Sequence, residues 1–435
     1  MDGNGCDLQL SLADGRELVL CKNCVDLPKP QGRPECKPPL RWSSLRKSQK
    51  KGGLHNFIPL QLILWAECQG RTVSITFAEY TSPTELRPTT RTYTPALSSS
   101  SEIDTWVAAL IRRAYGTAQR RKRALVLINP HAGPGKAWKK WNKVLPLFEA
   151  ARMEIEVMVT SQPGEAIAIA RNLHIDRFDT VIACSGDGLP HEIFNGFAQR
   201  PDARRALGKV AVSQIPCGSG NAMACNLYGS HHASLAALGI IKGVDTAMDL
   251  ASYTQGDRRG VSFLSQALGI IAEADLGTEH MRWMGAARFH VGVLTRILSK
   301  KAYPCDIDVK VELEDKADIQ LAFHAAAAIP AVKDPIDTWA VDAETQGLPL
   351  LKYGTVQDPL PSDGWRRIKY DNMGNFYCGK MAFIAPHVAF FPASHPNDGL
   401  LDLVTFSSDL PILKVFELFG KRSVSRPEIK MDVLA

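Results

Sequence analysis

Three short segments of this 435-residue chain combine glycine with polar residues and could bind phosphate groups. They are residues 129–136 (NPHAGPGK), 185–188 (SGDG) and 216–221 (PCGSGN). Glycine lets backbone N–H groups approach an anion closely, and a helix N-terminus behind such a loop adds a favourable dipole. One loop of this kind is weak evidence, but three that converge predict a polyphosphate site.

Asp187 is the residue in these loops with the clearest chemical role. It stands between two glycines, so a sharp turn would project its carboxylate into a cleft with no adjacent side chain to screen it. Phosphoryl transfer needs a carboxylate that accepts the proton of the attacking hydroxyl, and cations that neutralise the phosphates. An aspartate that only stabilises a turn is the simpler alternative, but it leaves the nearby Ser185, His191 and Glu192 unexplained.

Each loop taken alone could also be an ordinary strand-to-helix turn. The first loop is not a P-loop, because Pro130 stands where a glycine is required and no Ser or Thr follows Lys136. It is not a GxGxxG segment either, so the sequence argues against a dinucleotide-binding fold.

The elements around these loops predict a parallel sheet covered by helices on both faces. Continuous apolar runs indicate strands buried on both sides, and apolar residues at helical spacing follow each run. Strands are predicted at 124–128, 155–159, 180–184 and 210–215, and helices at 138–148, 165–173, 190–197 and from 221. Because ligands bind at the carboxyl ends of parallel strands, the three loops are expected to share one edge.

The rest of the chain has a different pattern. From Ser262 onward, strand-like segments alternate with long loops, which predicts a second, largely antiparallel β-rich domain. Those segments are 262–272, 307–313, 380–391 and 400–406, with 341–371 as a surface insertion. Nearer the start, the sequence predicts strands at 60–67 and 71–77, a loop over 82–101 and a helix over 102–115.

These patterns predict an α/β chain in four parts. Residues 1–53 are expected to be a low-order segment, and residues 54–117 a small strand-plus-helix module that vaguely resembles part of a pleckstrin-homology module. Residues 118–258 are expected to form the α/β nucleotide-binding domain, and residues 259–435 the antiparallel domain.

Composition restricts the class of protein. With 45% hydrophobic and 22% charged residues the chain can bury a sizeable core, and a net charge of +6 favours phosphate-bearing partners or an anionic membrane surface. The start is polar and no apolar run approaches the roughly 20 residues of a spanning helix, so we expect a cytoplasmic protein with peripheral membrane contact. No nucleic-acid partner is expected, and the oligomeric state is left open.

The ten cysteines are scattered and are expected to be reduced, as in intracellular proteins. Cys21 and Cys24 form a CxxC with Cys36 further on, but no second pair or histidine set at ligand spacing accompanies them. Zinc is therefore the less favoured interpretation of this motif.

Four segments resemble the sphingosine (long-chain base) kinase branch of the diacylglycerol kinase superfamily. They are residues 125–136 (LVLINPHAGPGK), 185–196 (SGDGLPHEIFNG), 215–222 (IPCGSGNA) and 272–289 (AEADLGTEHMRWMGAARF). The first three mark the superfamily, whereas the serine of SGDG and the fourth segment indicate the sphingoid-base branch. The resemblance covers about a third of the chain, in ordered blocks.

The resemblance implies transfer of the γ-phosphate of ATP, with Mg²⁺, to a sphingoid lipid, and no metal site built from protein side chains. Asp187 is implied to be the catalytic proton acceptor. The implied ATP-binding residues are Asn129, Pro130, His131, Thr160, Ser161, Gln162, Pro163, Gly164, Glu192, Gly218, Ser219, Gly220, Arg282 and Arg288. The implied substrate-binding residues are Ser185, Gly186, Asp187, Gly188 and Asp275.

The residues of the fourth segment also admit plainer interpretations. Asp275 ends an apolar stretch, where a carboxylate needs a partner, and a salt bridge to Arg282 would serve as well as a lipid ammonium group. Arg282 and Arg288 could be surface charges, although arginine is the preferred bidentate phosphate ligand. The apolar residues that follow could line an acyl-chain pocket or form a core helix.

One family feature is missing. The family carries a D-G-E triplet near its C-terminus, and this sequence has only Asp398-Gly399-Leu400, which matches a different turn of the family. The sequence therefore predicts a C-terminally truncated second domain. It leaves open two alternatives to a sphingoid-base kinase: a kinase of diacylglycerol or ceramide, and an inactive protein that only binds lipid or nucleotide.

Overall fold

The computed structural model of the protein describes residues 8–26, 57–96, 99–278, 301–328, 347–361, 363–409 and 433–434. The chain divides into two compact units. The first unit comprises Met1–Ala124, Lys139–Glu156 and His232–Val244, and the second comprises Leu125–Trp138, Val157–His231 and Asp245–Ala435.

The first unit contains two antiparallel sheets and a long helix. One sheet has the order β1-β2-β3-β4 and the other the order β5-β6-β7. The strands are β1 (Leu8–Ser11), β2 (Glu17–Leu20), β3 (Cys24–Asp26), β4 (Phe57–Pro59), β5 (Ile63–Gln69), β6 (Thr72–Ser82) and β7 (Glu85–Tyr93), and a 3-10 turn over Leu60–Leu62 precedes β5.

Helix α1 (Ser100–Tyr115) closes this unit, and its sequence explains both its start and its packing. Ser99 accepts the backbone N–H of Glu102, and the Glu102 side chain accepts the N–H of Ser99, which is a capping box. Trp106 and other apolar residues at helical spacing are buried. The Tyr115 hydroxyl donates to the carbonyl of Leu64 at 2.7 Å, so the last turn is fixed to β5.

Two predictions for this unit were wrong. Residues 8–26, expected to have little order, form three strands with a buried apolar face, whereas residues 27–56 lie outside the described part. Residues 85–93, expected to be a loop, form β7. Pro88 is tolerated there because β7 is the edge strand of its sheet and needs fewer donors. The domain limits and the pleckstrin-homology likeness stay predictions.

The CxxC segment joins β2 to β3. The backbone N–H of Cys21 donates to the carbonyl of Cys24 at 2.9 Å, so the motif forms a tight turn. Both side chains are buried. Within the described ranges no group of three or more His, Cys, Asp or Glu side chains could hold a metal ion, and Cys36 lies outside them.

Helix α7 (Ala233–Lys242; helices are numbered in chain order) carries a half-buried lysine in the first unit. The Lys242 ammonium donates to the carbonyl of Ile63 at 2.8 Å and lies 3.8 Å from the centre of the Tyr115 ring. Burial, with a smaller contribution from Lys122, lowers the pKa of Lys242 to about 7.

This pKa predicts how stability depends on pH. Between pH 7 and the usual lysine pKa the unfolded chain binds the proton more tightly than the folded chain, so stability should rise with pH. The contribution is up to about 1.4 kcal/mol per pH unit. Urea unfolding between pH 7 and 9 should show this rise, and Lys242→Met should remove it. Equal slopes for the two proteins would contradict the prediction.

Most of the predicted α/β half belongs to the second unit, and it is built on a sheet of order β11-β10-β8-β9. β10 and β11 are parallel, with Thr180 opposite Ala211 and Ser185 opposite Pro216. β10 is buried along its whole length, as its apolar sequence predicts. The elements are β8 (Arg123–Ile128), α2 (Ala137–Ala150), β9 (Glu154–Val159), α3 (Glu165–Arg171), β10 (Thr180–Ser185), α4 (Gly188–Ala198), α5 (Ala203–Lys209), β11 (Ala211–Pro216) and α6 (Ala222–Tyr228).

The division between the two units passes through β8, α2 and β9, each of which has residues in both. Every strand and helix predicted for this half is confirmed to within a few residues, and α5 and α7 were not predicted. The predicted α/β fold class, with a parallel sheet and antiparallel sheets, is confirmed.

The remainder of the second unit is mainly antiparallel. Its sheets have the orders β12-β13, β14-β17-β20-β21, β15-β16 and β18-β19. The elements are β12 (Ala251–Gln255), β13 (Arg258–Ser262), β14 (Ser265–Gly269), α8 (Ile270–Gly277), β15 (Cys305–Lys310), α9 (Lys316–Ala328), β16 (Trp365–Tyr370), β17 (Met373–Gly379), β18 (Phe383–Ala385), β19 (Val388–Ala389), β20 (Asp402–Ser407) and β21 (Val433–Leu434). None of the described helices is long and apolar enough to cross a bilayer.

Several boundaries differ from prediction in this part. The single strand expected at 262–272 is the end of β13, all of β14 and the start of α8. The strand expected at 380–391 is replaced by two short strands, β18 and β19, after β17. Residues 365–370, assigned to a surface insertion, form β16 beside β15, and residues 329–346 lie outside the described part.

Lys380 holds the turn that precedes β20. Its ammonium pairs with Asp249 at 2.9 Å, pairs with Asp398, and donates to the carbonyl of Leu400 at 2.7 Å. The side chain is only 5% exposed, so the charge is almost entirely withdrawn from water and depends on these oxygens. The Asp398-Gly399-Leu400 turn is therefore structural in this protein.

Removal of this ammonium should destabilise the second unit. Lys380→Met leaves two carboxylates facing each other without a cation, and we expect a loss of about 2–4 kcal/mol in the free energy of unfolding. Lys369→Met is the matched control, because Lys369 forms an exposed pair with Asp371. Urea unfolding that gives equal midpoints for the two variants would contradict this role of Lys380.

Candidate functional site

The three glycine loops follow β8, β10 and β11 and meet at one edge of the parallel sheet, as predicted. The N–H of Asn129, after β8, donates to the carbonyl of Cys184 in β10 at 3.2 Å. The N–H of Cys217, after β11, donates to the carbonyl of Ser185 at 2.9 Å. These bonds extend the alignment of the strands into the loops.

The loops touch through glycines that admit no side chain. A Cβ atom on Gly218 would lie 2.3 Å from the Cα of Gly186, and one on Gly133 would lie 2.6 Å from the carbonyl oxygen of Cys217. Real Cβ atoms do not come so close to backbone. The close approach therefore needs glycine at position 133 in the first loop and at position 218 in the third.

Asp187 connects the second loop to the third. Its carboxylate accepts the N–H of Ala222 at 3.0 Å on Oδ2 and the N–H of Met223 at 3.0 Å on Oδ1. The Gln214 amide donates to Oδ1 at 3.4 Å. Burial raises the pKa of Asp187 above its usual value, and these hydrogen bonds partly oppose the rise. The carboxylate is thus a fixed base, stronger than an exposed aspartate.

The third loop is itself rigid. The Asn221 side chain accepts the N–H of Gly218 at 2.8 Å and donates to the carbonyl of the same residue at 2.8 Å. Asn221 adopts φ +54°, in the left-handed region that asparagine tolerates better than most residues. Ser219 and Gly220 lie within this clamp, and Gly220 packs against the Asp187 carboxylate.

The first loop and the segment after β9 are ordered by their own polar groups. The Asn129 side chain accepts the N–H of His131 at 2.9 Å, and the N–H of Thr160 donates to the carbonyl of Ile128 at 2.9 Å. The Glu165 carboxylate accepts the N–H of Ser161 at 2.6 Å and its hydroxyl at 2.8 Å. These bonds hold the pKa of Glu165 below its usual range.

Glu192 joins this segment to helix α4, which follows Asp187. Its carboxylate accepts the N–H of Ala166, in the first turn of α3, at 3.2 Å. The segment of residues 160–164 is thereby fixed next to α4. The role of Glu165 in ordering this segment was not predicted, although its position four residues after Ser161, at the start of a helix, is a recognisable turn signal.

A cavity of about 350 Å³ opens beside Asp187. It is lined by Asp187, His191, Tyr253, Ser262, Phe263, Leu264, Ser265 and Gln266. The Phe263 and Leu264 side chains make part of the wall apolar, whereas the other lining residues supply carboxylate, hydroxyl, amide and imidazole groups. Such a wall suits a molecule with a polar head and an apolar body.

The predicted substrate residues are only partly brought to this cavity. Asp187 lines it, but Ser185 is buried and its hydroxyl donates to the carbonyl of Gly186 at 2.6 Å. Asp275 belongs to helix α8, and its side chain lies outside the described part, as do Arg282 and Arg288. The binding roles of all these residues stay predictions. The sequence did not predict Tyr253, Ser265 or Gln266, which have no motif of their own.

The glycine-lined edge fits the phosphates of a nucleotide, because closely packed backbone occupies the positions that side chains would fill. Within the described residues no cluster of three or more His, Cys, Asp or Glu groups that could hold a metal ion is present.

Comparison with known families agrees with this geometry. Residues 123–253 match the diacylglycerol kinase catalytic domain, and residues 10–116 match a domain of unknown function, DUF7493. The α/β sheet and its glycine loops are therefore a kinase catalytic domain of the diacylglycerol kinase class.

Comparisons with individual proteins narrow the family. The chain is 37% identical to Sphingoid long chain base kinase 5 of Saccharomyces cerevisiae over 366 residues, 72% of this chain and 53% of the yeast protein. It is 31% identical to Sphingoid long chain base kinase 4 of Schizosaccharomyces pombe, covering 80% and 71% of the two chains. It is 29% identical to Sphingosine kinase 1 of Arabidopsis thaliana, covering 70% and 60%. The chain belongs to the sphingoid long-chain base kinase family, and it spans about half the length of the budding-yeast relative.

The glycine contact between the second and third loops yields a testable prediction. Gly218→Ala should force the loops apart, with a loss of about 1–3 kcal/mol in stability and at least about 10-fold weaker ATP binding. Gly347→Ala is the control, since its Cβ would meet nothing within 4 Å. Urea unfolding and titration with a fluorescent ATP analogue measure the two effects. Unchanged ATP affinity in Gly218→Ala would contradict a phosphate site at this edge.

Proposed function

We propose that the chain is an ATP-dependent kinase that phosphorylates the primary hydroxyl of a sphingoid long-chain base to give the 1-phosphate. The observation that carries the proposal is the position of Asp187. Its carboxylate is bound to the third glycine loop and at the same time lines the cavity with Phe263 and Leu264. A base that lies between a phosphate-binding edge and an amphiphilic cavity is what transfer to a lipid alcohol requires.

The chain's own residues account for the main chemical tasks. The glycine loops present backbone N–H groups to the phosphates, and the start of α6 adds its dipole. Asp187 accepts the proton of the lipid hydroxyl while the hydroxyl oxygen bonds to the γ-phosphorus and the bond to the β–γ bridging oxygen breaks, leaving ADP. When bound with the nucleotide, Mg²⁺ neutralises the charge of the β- and γ-phosphates.

The electrostatics of Asp187 suit this task. Burial raises the pKa of the carboxyl, so the ionised form is a better proton acceptor than a solvated aspartate. The N–H groups of Ala222 and Met223 keep the carboxylate oriented and favour its ionised form. The two effects together give an oriented carboxylate that is more basic than a solvated aspartate.

A sphingoid base is the proposed acceptor for two reasons. The named relatives are kinases of sphingoid long-chain bases or of sphingosine. Asp275 is the residue expected to bind the ammonium group of the lipid, and it belongs to helix α8. This helix directly follows β14, whose first residues, Ser265 and Gln266, line the cavity. A neutral acceptor such as diacylglycerol or ceramide would have no cation for this carboxylate.

We also propose that the protein meets its acceptor at the surface of a cytoplasmic membrane face. The hydrocarbon chain of a long-chain base partitions into bilayers, and the net charge of +6 favours an anionic surface.

A lipid-panel assay with radiolabelled ATP tests the proposed function. The wild-type chain should phosphorylate sphingosine, sphinganine or phytosphingosine much faster than diacylglycerol or ceramide. Asp187→Asn should lower kcat at least about 100-fold, because the amide cannot accept the proton. Asp176→Asn, at an exposed aspartate of the same unit, should retain activity.

Thermal unfolding and ATP titration establish whether the Asp187→Asn protein is folded and binds nucleotide. Transfer that persists in this variant would remove Asp187 from its assigned role. Preference for a neutral lipid would overturn the substrate assignment, and no transfer by a folded wild-type chain would favour a protein that only binds lipid or nucleotide.

A further inference from the structure

Asn195 connects the helix that follows Asp187 to a strand of the antiparallel part. It lies on α4, and its side chain is buried. The side-chain oxygen accepts the N–H of Val261 at 3.0 Å, and the side-chain nitrogen donates to the carbonyl of the same residue at 2.9 Å. The second amide hydrogen is donated to the carbonyl of His191, one turn earlier on α4, at 2.9 Å. Both hydrogens and the oxygen of the amide are therefore used to join α4 to β13.

The amide of Asn195 extends the sheet to which Val261 belongs. β13 pairs with β12 in a two-stranded sheet, with Val261 opposite Ser252. In an antiparallel ladder, a residue exchanges both of its backbone hydrogen bonds with one partner. Asn195 makes this double exchange with Val261, so its amide takes the position of a residue in a third strand. A double bond of this kind fixes the distance and the register between α4 and β13.

The segment that directly follows Val261 forms one wall of the cavity. Five consecutive residues of this segment line it: Ser262, Phe263, Leu264, Ser265 and Gln266. Asp187, which directly precedes α4, lines the same cavity. Phe194 packs against Phe263 with ring centroids 5.6 Å apart, but apolar contact alone does not fix a register. The separation of this wall from Asp187 therefore depends on the amide of Asn195.

We propose that Asn195 positions the acceptor lipid, because it holds the wall of residues 262–266 at the distance from Asp187 that brings the hydroxyl to the carboxylate. The inference rests on the proposed function, in which the cavity takes the lipid and Asp187 accepts its proton. Asn195 is not among the residues that line the cavity, so it acts through the wall. Without its bonds the wall varies in position, and the lipid binds more weakly and in poorer alignment.

Asn226 offers a matched control, because its amide makes the same three bonds elsewhere in the second unit. Its oxygen accepts the N–H of Phe383 at 3.0 Å, and its nitrogen donates to the carbonyl of Phe383 at 2.7 Å and to that of Ala222 at 2.8 Å. The amide thus joins α6 to β18 as Asn195 joins α4 to β13. None of the described residues that line the cavity belongs to β18.

The kinetic test compares Asn195→Ala with Asn226→Ala, with kcat and KM measured for sphingosine and for ATP on the full chain. In Asn195→Ala we expect the KM for sphingosine to rise at least about 5-fold and the KM for ATP to stay within about twofold of wild type. In Asn226→Ala the KM for sphingosine should stay within about twofold of wild type. An unchanged KM for sphingosine in Asn195→Ala, an equal rise in both variants, or an equal rise in the KM for ATP would overturn the proposal.

A second pair of variants keeps the side-chain volume, in case the alanine variants do not fold. Asn195→Asp retains an acceptor for the N–H of Val261, but its second oxygen faces two carbonyl groups where the amide donated. This variant should also raise the KM for sphingosine, whereas Asn226→Asp should not. Equal values in the two aspartate variants would count against a specific role of Asn195.

Hydrogen exchange followed by mass spectrometry tests the link without any turnover. In Asn195→Ala, exchange should become faster in peptides that cover residues 258–266, because the N–H of Val261 loses its acceptor. In Asn226→Ala the faster exchange should be found in residues 383–389 instead. Unchanged exchange at 258–266 in Asn195→Ala would overturn the inference. Faster exchange throughout the second unit would do the same, because Asn195 would then stabilise the fold in general.

The two proposals can fail separately. If the wild-type chain phosphorylates another lipid alcohol, the substrate assignment fails, and the same variants are compared with that alcohol. If it phosphorylates none, the proposed function fails, and the binding of fluorescently labelled sphingosine replaces the KM. Weaker binding in Asn195→Ala alone would then support the positioning role, and equal binding in all variants would remove it. If sphingosine is phosphorylated with the wild-type KM by Asn195→Ala, only the role of Asn195 is lost.

Discussion

The site depends on the contact between two backbones at Gly186 and Gly218. No side chain separates the second and third loops there, and a methyl group would lie 2.3 Å from the neighbouring Cα. This contact brings the start of α6 close enough for its N–H groups to bind Asp187. The position of the carboxylate follows from a distance that only glycine at position 218 permits.

The carboxylate of Asp187 has a structural role and a proposed chemical one. It joins the loops as an acceptor of backbone N–H groups, and it lines the cavity, where we propose that it acts as a base. An aspartate that only stabilises a turn and an aspartate that removes a proton were alternatives for the sequence. The bonds that stabilise the turn also orient the carboxylate, so the proposed role as a base is compatible with the role in the turn.

Buried apolar runs made the α/β half predictable, because strands such as β10 have a continuous apolar centre, are buried throughout, and are directly followed by the glycine loops. Prediction failed where an apolar run is compatible with either a strand or a helix. Residues 262–272 change from strand to helix at Gly269, which adopts φ +99° and lies against the carbonyl of Gly374, a contact between distant residues. The partners of Asp187 were equally hidden, because backbone N–H groups have no sequence signature.

Helix α4 contacts both the segment expected near the nucleotide and the wall of the cavity. Glu192 on this helix binds the segment expected near the nucleotide, whereas His191 and Asn195 face the cavity and β13. Adjacent residues in a helix are separated by a rise of about 1.5 Å, and the helix does not stretch. A displacement of this helix would therefore move the contacts of both segments together.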